Sequence, residues 1–399
     1  MRSVGMNVLH IHNEITNKGG TEVYLADLQA YLPQYGCNSY WLCIQKNNQR
    51  YLVAEYQGTF TEFSLKQVKD YLAKWISDHH IDLICIHNLF EIELVELLLT
   101  LKPVVKFSHS PVLVCPGRDK YWRFSQKPCT IPYGMHCFWH IYSEGCSNRH
   151  PKRIWKAWNY VRKELEFAKD RYQKIVVMST YNSGRLLECN VPADKIVVNP
   201  YFTRYVDTIP EAIPRETVRI LFIGRIISGK GVPEMLHAVE PVLKKHTHVH
   251  LDIIGDGLQM NEVKKMVTDK GIEGNVMFHG WLPRQKIDKL LAECYLVIFP
   301  SIYPESFGIV GIESMMNGKP VVAFNVGGVS TWLKNGENGF LLKSGDHVQM
   351  SQAIEKLLTD KELYKRMSRH AREIAVEQFT PDVHFKKLIS VFDNAVTSQ

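Results

Sequence analysis

No apolar run in the chain approaches the roughly 20 residues that a membrane-spanning helix needs. The opening residues, Met1-Arg-Ser-Val-Gly-Met-Asn-Val-Leu9, pass almost directly into a strand pattern. They lack the apolar core and small-residue cleavage site of a signal peptide, so a cytosolic protein is expected. The nine cysteines contain no Cys-x2-Cys pair, which removes the usual zinc-site spacing. Their odd number and scatter speak against a disulfide scaffold. There is no long basic tract, no C2H2 pattern and no RNP-like segment, so nucleic acid is not an expected partner. The basic turn Gly224–Gly231 has no Ser or Thr after Gly-Lys and is therefore not a Walker A loop. Internal repeats and low-complexity segments are absent too.

What remains is a moderately basic chain of 399 residues with net charge +7 and 45% hydrophobic residues, too long for one core. Short β-branched runs alternate with helical stretches from end to end. The first set of strands is read at 7–12, 81–86, 103–107 and 174–178. The second is read at 219–223, 250–254, 275–278, 295–299 and 319–324. Continuous apolar strands between helices imply parallel sheets covered on both faces, hence an α/β protein of two doubly wound domains. Residues 199–216, with prolines at 200, 210 and 214, read as the linker. A turn at Phe379-Thr-Pro381 precedes a last amphipathic helix whose apolar face is read as Val383, Phe385, Leu388, Ile389 and Phe392.

The chemistry concentrates in residues 300–318. Two carboxylates, Glu305 and Glu313, stand eight positions apart, a little over two helical turns. They can hold two ends of one extended ligand but not one atom of it. Between them Gly308 lets a ligand approach the N-terminus of a helix expected from Ser306 or Phe307. Upstream, Gly224-Arg225 and Lys230-Gly231 bracket a turn ahead of another helix, a pairing suited to phosphate oxygens. Ile254-Gly-Asp-Gly257 and His279-Gly-Trp-Leu-Pro283 end two further strands. In the first half, Gly19-Gly20 links a strand to a helix, and His87 and His109 follow strand ends where an imidazole can bind sugar or move a proton.

Taken together, these motifs resemble the retaining glycosyltransferases of family 4. Glu305-Ser-Phe-Gly308 through Glu313 is similar to the family's Glu-x7-Glu motif. Gly224-Arg225 with Lys230-Gly231 is similar to its phosphate site. Phe324-Asn-Val-Gly-Gly328 and Asn335-Gly-Glu-Asn-Gly-Phe340 resemble the stretches that follow. The resemblance implies the GT-B fold, two Rossmann-like domains facing a central cleft, with the last helix crossing back to the first domain. The implied domains are 1–203, with a Cys-containing insert at 111–150, then 204–379, then the returning helix 380–399.

The resemblance also implies roles. Arg225 and Lys230 would neutralise the donor diphosphate and its leaving group. Glu305 would contact the donor sugar and Glu313 the ribose. Gly19, Gly20, Gly224, Gly255, Leu282, Ser306, Phe307, Gly308 and Ile309 would line the donor. His109 would sit near the acceptor as a catalytic residue, although Ser110 follows it where the family often has Asp. No cofactor and no catalytic metal are implied. The donor would be a nucleotide-diphosphate sugar and the acceptor a glycan or lipid-linked sugar of the cell envelope. A GT-B nucleotide-sugar 2-epimerase and an inactive nucleotide-sugar-binding protein are the alternatives; the intact Arg225, Lys230, Glu305 and Glu313 argue against both.

Two segments leave alternatives open. Cys115, Cys129, Cys137 and Cys146 fall within 32 positions, near His136 and His140, and read either as a structural zinc site or as unligated thiols. Residues 152–172 carry seven bases, three acids, Trp155, Trp158 and Tyr160. They read either as an ordinary domain helix or as a helix lying on an anionic membrane, which would place the protein peripherally at the inner face of the plasma membrane.

Overall fold

Apolar runs such as Leu83–Ile86, Leu296–Phe299 and Val321–Phe324 are buried at every residue, as strands covered on both faces must be. They form the centres of two parallel sheets in the computed structural model, which describes residues 5–12, 20–43, 65–206 and 217–397. The chain divides into one unit of Met1–Lys120, Thr130–Tyr201 and Pro381–Gln399, and a second of Tyr121–Cys129 and Phe202–Thr380. Most of the expected linker, 207–216, lies outside the described residues.

In chain order the first strands are β1 (Met6–His12), β2 (Cys37–Cys43), β3 (Leu83–Ile86), β4 (Val104–Ser108), β5 (Tyr121–Trp122), β6 (Lys127–Pro128), β7 (Lys174–Val177) and β8 (Ile196–Val198). The sheet of the first unit runs β2-β1-β3-β4-β7-β8 with every pair parallel; β5 and β6 form a separate antiparallel pair. Its helices are α1 (Gly20–Tyr31), α2 (Leu65–Asp78), α3 (Ile92–Leu98), α4 (His136–Ser143), α5 (Pro151–Asp170) and α6 (Thr180–Leu187). A buried charge fixes α5 to the sheet. Lys106 Nζ of β4 lies 3.0 Å from Glu164 Oε1, and the Tyr160 and Tyr172 hydroxyls donate to the same carboxylate at 2.7 Å each. A pair this deep is tolerable only with such full satisfaction, since stripping water from each ion costs several kcal/mol.

The second unit carries β9 (Val218–Ile223), β10 (Val249–Ile254), β11 (Val276–Gly280), β12 (Leu296–Phe299), β13 (Val321–Phe324) and β14 (Gly339–Leu342). They are ordered β11-β10-β9-β12-β13-β14, again all parallel. Between and after them lie α7 (Val232–Lys245), α8 (Met260–Asp269), α9 (Arg284–Glu293), α10 (Ile309–Met316), α11 (His347–Thr359) and α12 (Lys361–Gln378). The last helix, α13 (Pro381–Thr397), belongs to the first unit. There the Tyr24 hydroxyl meets His384 Nε2 at 3.0 Å, and His384 Nδ1 donates to the Pro200 carbonyl at 2.7 Å. The buried face of α13 is His384, Phe385, Leu388, Val391, Phe392 and Ala395. Val383 is exposed, contrary to the amphipathic reading, because His384 takes the inward position.

Helix α10 begins at Ile309, later than expected from the sequence, because Gly308 caps it at φ +96°. A side chain there would come within 2.9 Å of the Phe299 ring. Gly231 caps α7 at φ +69°, and a Cβ would stand 1.8 Å from the Pro300 carbonyl oxygen. Gly271 has a similar φ, +63°, with nothing within 4 Å. In urea unfolding, Gly271→Ala should cost about 1 kcal/mol from backbone strain alone. Gly231→Ala should cost at least about twice that, because the β9 and β12 loops must also part. Equal losses would mean that the two loops are not in essential contact.

Candidate active site

The strand order of the second unit reverses between β9 and β12, and ligands of such sheets bind beyond the carboxyl ends at that point. Two loops leave there. One, Gly224–Gly231, follows β9; the other, Pro300–Gly308, follows β12. The Gly229 carbonyl accepts the backbone N–H groups of Ile302 at 2.9 Å and Tyr303 at 3.0 Å. The Ser301 hydroxyl lies 3.0 Å from that carbonyl and 2.7 Å from Glu305 Oε1. Lys230 Nζ reaches the same carboxylate oxygen at 2.5 Å. The Glu305 carbonyl in turn accepts Gly328 N–H at 2.6 Å, and no Cβ fits at Gly327, where it would be 2.1 Å from that oxygen. Gly255 backs the β9 loop in the same way, 1.9 Å from the Gly224 carbonyl by its virtual Cβ. Arg225 extends beside this assembly with its side chain exposed.

Glu313 sits in α10, buried, and is paired with Arg284, the first residue of α9. Arg284 Nε also holds Asp288 at 2.7 Å. The two carboxylates of the Glu-x7-Glu motif thus hold two different bases. Phe307 is fully buried, and its carbonyl accepts Trp332 Nε1–H at 2.7 Å. Ser306, Gly308 and Ile309 are half-buried around the start of α10, and Leu282 is half-buried in the loop after β11. Gly224, Arg225, Lys230, Gly255, Leu282, Glu305–Ile309 and Glu313 are therefore all in one unit, on loops or helix starts beyond its strands.

Gly20 and His109 belong to the first unit, and Gly19 lies outside the described residues. His109 is almost wholly buried and has both ring nitrogens engaged. Its Nδ1 meets the Tyr201 hydroxyl at 2.8 Å and its Nε2 meets His87 Nδ1 at 2.9 Å. His87 Nε2 continues to His10 Nδ1 at 3.0 Å, and the His10 ring stacks on Trp41 at 4.5 Å. Burial pushes His10 and His109 down to about 3, and His87, which His109 further disfavours as a cation, well below its ordinary value. These rings are neutral hydrogen-bonding groups near pH 7, each with one donor and one acceptor. His109 is thus held as an uncharged member of a chain, not as a proton-charged acid.

The cysteine cluster does not become a metal centre. Among the described residues no three His, Cys, Asp or Glu side chains gather as a metal set. Cys129 ends the β5–β6 segment, which groups with the second unit, whereas Cys115, Cys137 and Cys146 are in the first. The described cysteines are thiols.

Arg284, Ser301 and Tyr201 were not singled out from the sequence, and neither was His10. Arg284 directly follows Leu282-Pro283, and Ser301 directly follows Pro300, at strand ends already flagged. His10 and His12 recur at alternate positions inside an otherwise apolar strand, a signal for a shared face.

Residues 207–374 match the family model described as glycosyl transferases group 1. Among curated relatives, the alpha-D-kanosaminyltransferase of Streptomyces kanamyceticus is 28% identical over 43% of this chain and 45% of its own length. The lipopolysaccharide core biosynthesis glycosyltransferase LpsE of Rhizobium meliloti is 30% identical over 44% and 49%. The matches thus span about half the length of these curated relatives. Among solved structures, a glycosyltransferase from Rickettsia africae aligns with a TM-score of 0.72 at 17% identity, covering 99% of this chain and 100% of that one. Anabaena Alr3699/HepE, in complex with UDP and glucose, aligns at 0.68 and 20% identity over 97% and 99%. The two parallel sheets and the returning α13 are those of the GT-B fold.

The histidine chain predicts a pH dependence. His10 and His109 are held at about 3 and His384 at about 4, all by burial, whereas unfolded histidine titrates near 6.5. The unfolded chain therefore binds more protons between those values. Stability is full above pH 6.5 and is lost as pH falls toward 4, on the order of 1 kcal/mol per histidine by pH 5.5. Melting curves recorded from pH 7.5 down to 5 should show the Tm falling. An unchanged Tm would mean that the rings accept protons in the folded state.

Proposed function

We propose that this chain, a GT-B protein whose residues 207–374 are a group 1 glycosyl transferase domain, is a retaining family 4 glycosyltransferase. It would move a sugar from a nucleotide-diphosphate donor to a glycan or lipid-linked acceptor in cell-envelope polysaccharide or glycoconjugate synthesis. Work at the inner face of the plasma membrane, as a peripheral protein, belongs to the same reading. The observation that carries it is the Lys230–Glu305 pair at the switch point between β9 and β12, with exposed Arg225 alongside. HepE, whose structure holds UDP and glucose, has the same fold and supports a nucleotide diphosphate as ligand.

In this reading a donor diphosphate competes with Glu305 for Lys230. Lys230 and Arg225 then neutralise the phosphates and the charge that grows on the leaving group as the sugar–oxygen bond breaks. Once released from Lys230, Glu305 accepts hydrogen bonds from the donor sugar's hydroxyls. The start of α10 directs backbone N–H groups of Phe307–Ile309 toward sugar and phosphate. Glu313, oriented by Arg284, accepts from the ribose hydroxyls. The positive charge comes from the two side chains, so no divalent metal takes part in the proposal.

A thermal-shift panel of UDP-, GDP-, ADP- and TDP-sugars should find one nucleotide that raises the Tm of the wild type but not of Lys230→Ala. With that donor, Lys230→Ala should lower transfer by roughly 100-fold or more. Unchanged turnover would remove Lys230 from the site. Glu313→Ala and Arg284→Ala should both raise the donor KM with a smaller effect on kcat, because each loosens the ribose contact. A donor KM within error of wild type in either variant would contradict the assignment.

A further inference from the structure

The segment between β6 and α5 builds a surface that the transferase reading does not use. Helix α4 presents Trp139 and Tyr142, with Met135 just before its first turn; these residues fall on one helical side, and Met135 and Trp139 are 68% and 73% exposed. Trp155 at the start of α5 adds a second indole, 60% exposed. An inner layer holds these groups in place. Trp155 stacks on Trp158 at 5.7 Å and on Phe138 at 6.3 Å, and Trp158 packs against Tyr133 at 5.4 Å. Behind that layer, the Lys106–Glu164 pair fixes α5 to β4. The outward indoles are therefore carried on a rigid support.

Around them the charge has one sign. Arg149, Lys152, Arg153 and Lys156 are all exposed, and no Asp or Glu occurs from Gly145 to Lys163. A clustered exposed aromatic patch on a water-soluble surface marks an interaction site. Indole and phenol rings are favoured at the level of lipid headgroups, where one edge is wet and the other apolar. A rim of Lys and Arg without carboxylates complements a repeating anionic surface, and a protein partner would have to supply a matching acidic face. We propose that the α4–α5 surface docks this protein on an anionic lipid bilayer, with Met135, Trp139, Tyr142 and Trp155 entering the headgroup layer and the four bases pairing with phosphates.

The test is cosedimentation of the full chain with vesicles of phosphatidylcholine alone or mixed with phosphatidylglycerol. The wild type should bind the mixed vesicles, bind phosphatidylcholine alone far more weakly, and be released by salt. The double variant Trp139→Ala/Trp155→Ala should lose about tenfold or more in vesicle affinity. The triple variant Lys152→Ser/Arg153→Ser/Lys156→Ser should lose the preference for phosphatidylglycerol. All of the substituted side chains are exposed, so both variants should melt with the wild type, and their donor-induced thermal shifts should be unchanged. Failure of the surface is thereby separated from failure of the transferase reading. Absence of binding, equal binding to both vesicles, or unaltered binding by the double variant would overturn the proposal. Binding of a soluble glycan at Trp139 and Trp155 without vesicle binding would overturn it as well.

Discussion

The ion pair between Lys230 and Glu305 is the contact around which the second unit is arranged. Its two members leave neighbouring strands, and their loops are joined at one carbonyl, that of Gly229, which takes two backbone N–H groups from the other loop. Gly231 and Gly327 have no room for a side chain because the backbone runs against them at Pro300 and Glu305. Such closeness puts a cation and a carboxylate together where the sheet order reverses and a ligand has access. The carboxylate is mostly buried and the lysine less so. An incoming diphosphate, with more negative charge than one carboxylate, can therefore take the lysine while Glu305 keeps its hydrogen bond from Ser301. The pair is then a resting arrangement, and its exchange couples phosphate binding to the release of a sugar-binding carboxylate.

The first unit uses buried polar groups in another way. His10, His87 and His109 form a hydrogen-bonded line ending at Tyr201, and His384 ties α13 to Tyr24 and Pro200. Neutral rings fill this space because burial disfavours the charged forms. The contacts of α13 are therefore both apolar, through Phe385 and Phe392, and directional, through His384. A helix held by both kinds of contact has a defined register on the unit it returns to.

Much of this was legible in the sequence where the physical signal is local. Strands buried on both faces are continuous apolar runs, and β3, β12 and β13 were found to within a few residues. Strand β2 reads Cys-Asn-Ser-Tyr-Trp-Leu-Cys, a mixture of polar and aromatic residues at the sheet edge, and β14 has four residues directly after a turn; neither announces itself. In the site, Arg225, Lys230, Glu305 and Glu313 stood out because glycines and strand ends surround them. Arg284 was not visible because its relation to Glu313 spans 29 positions and two intervening elements. The histidine line was hidden for the same reason: it joins three strands, and each histidine alone looks like a core residue. The cysteine cluster shows the reverse, four residues close in sequence that the fold does not gather into a metal set among the described residues.

The exposed aromatic surface on α4 and α5 and the diphosphate site lie on different units, and each can be tested without the other. The central claim concerns the exchange at Lys230. It is tested most directly by titrating a nucleoside diphosphate, UDP, GDP, ADP or TDP, into the wild type, Lys230→Ala and Glu305→Gln by calorimetry. If the diphosphate displaces Glu305 from Lys230, Glu305→Gln should bind the nucleotide at least as tightly as the wild type, because the competing carboxylate charge is gone. Lys230→Ala should bind about tenfold or more weakly, the loss of one charge-assisted contact. Equal weakening in both variants would contradict the exchange and make the pair a structural brace.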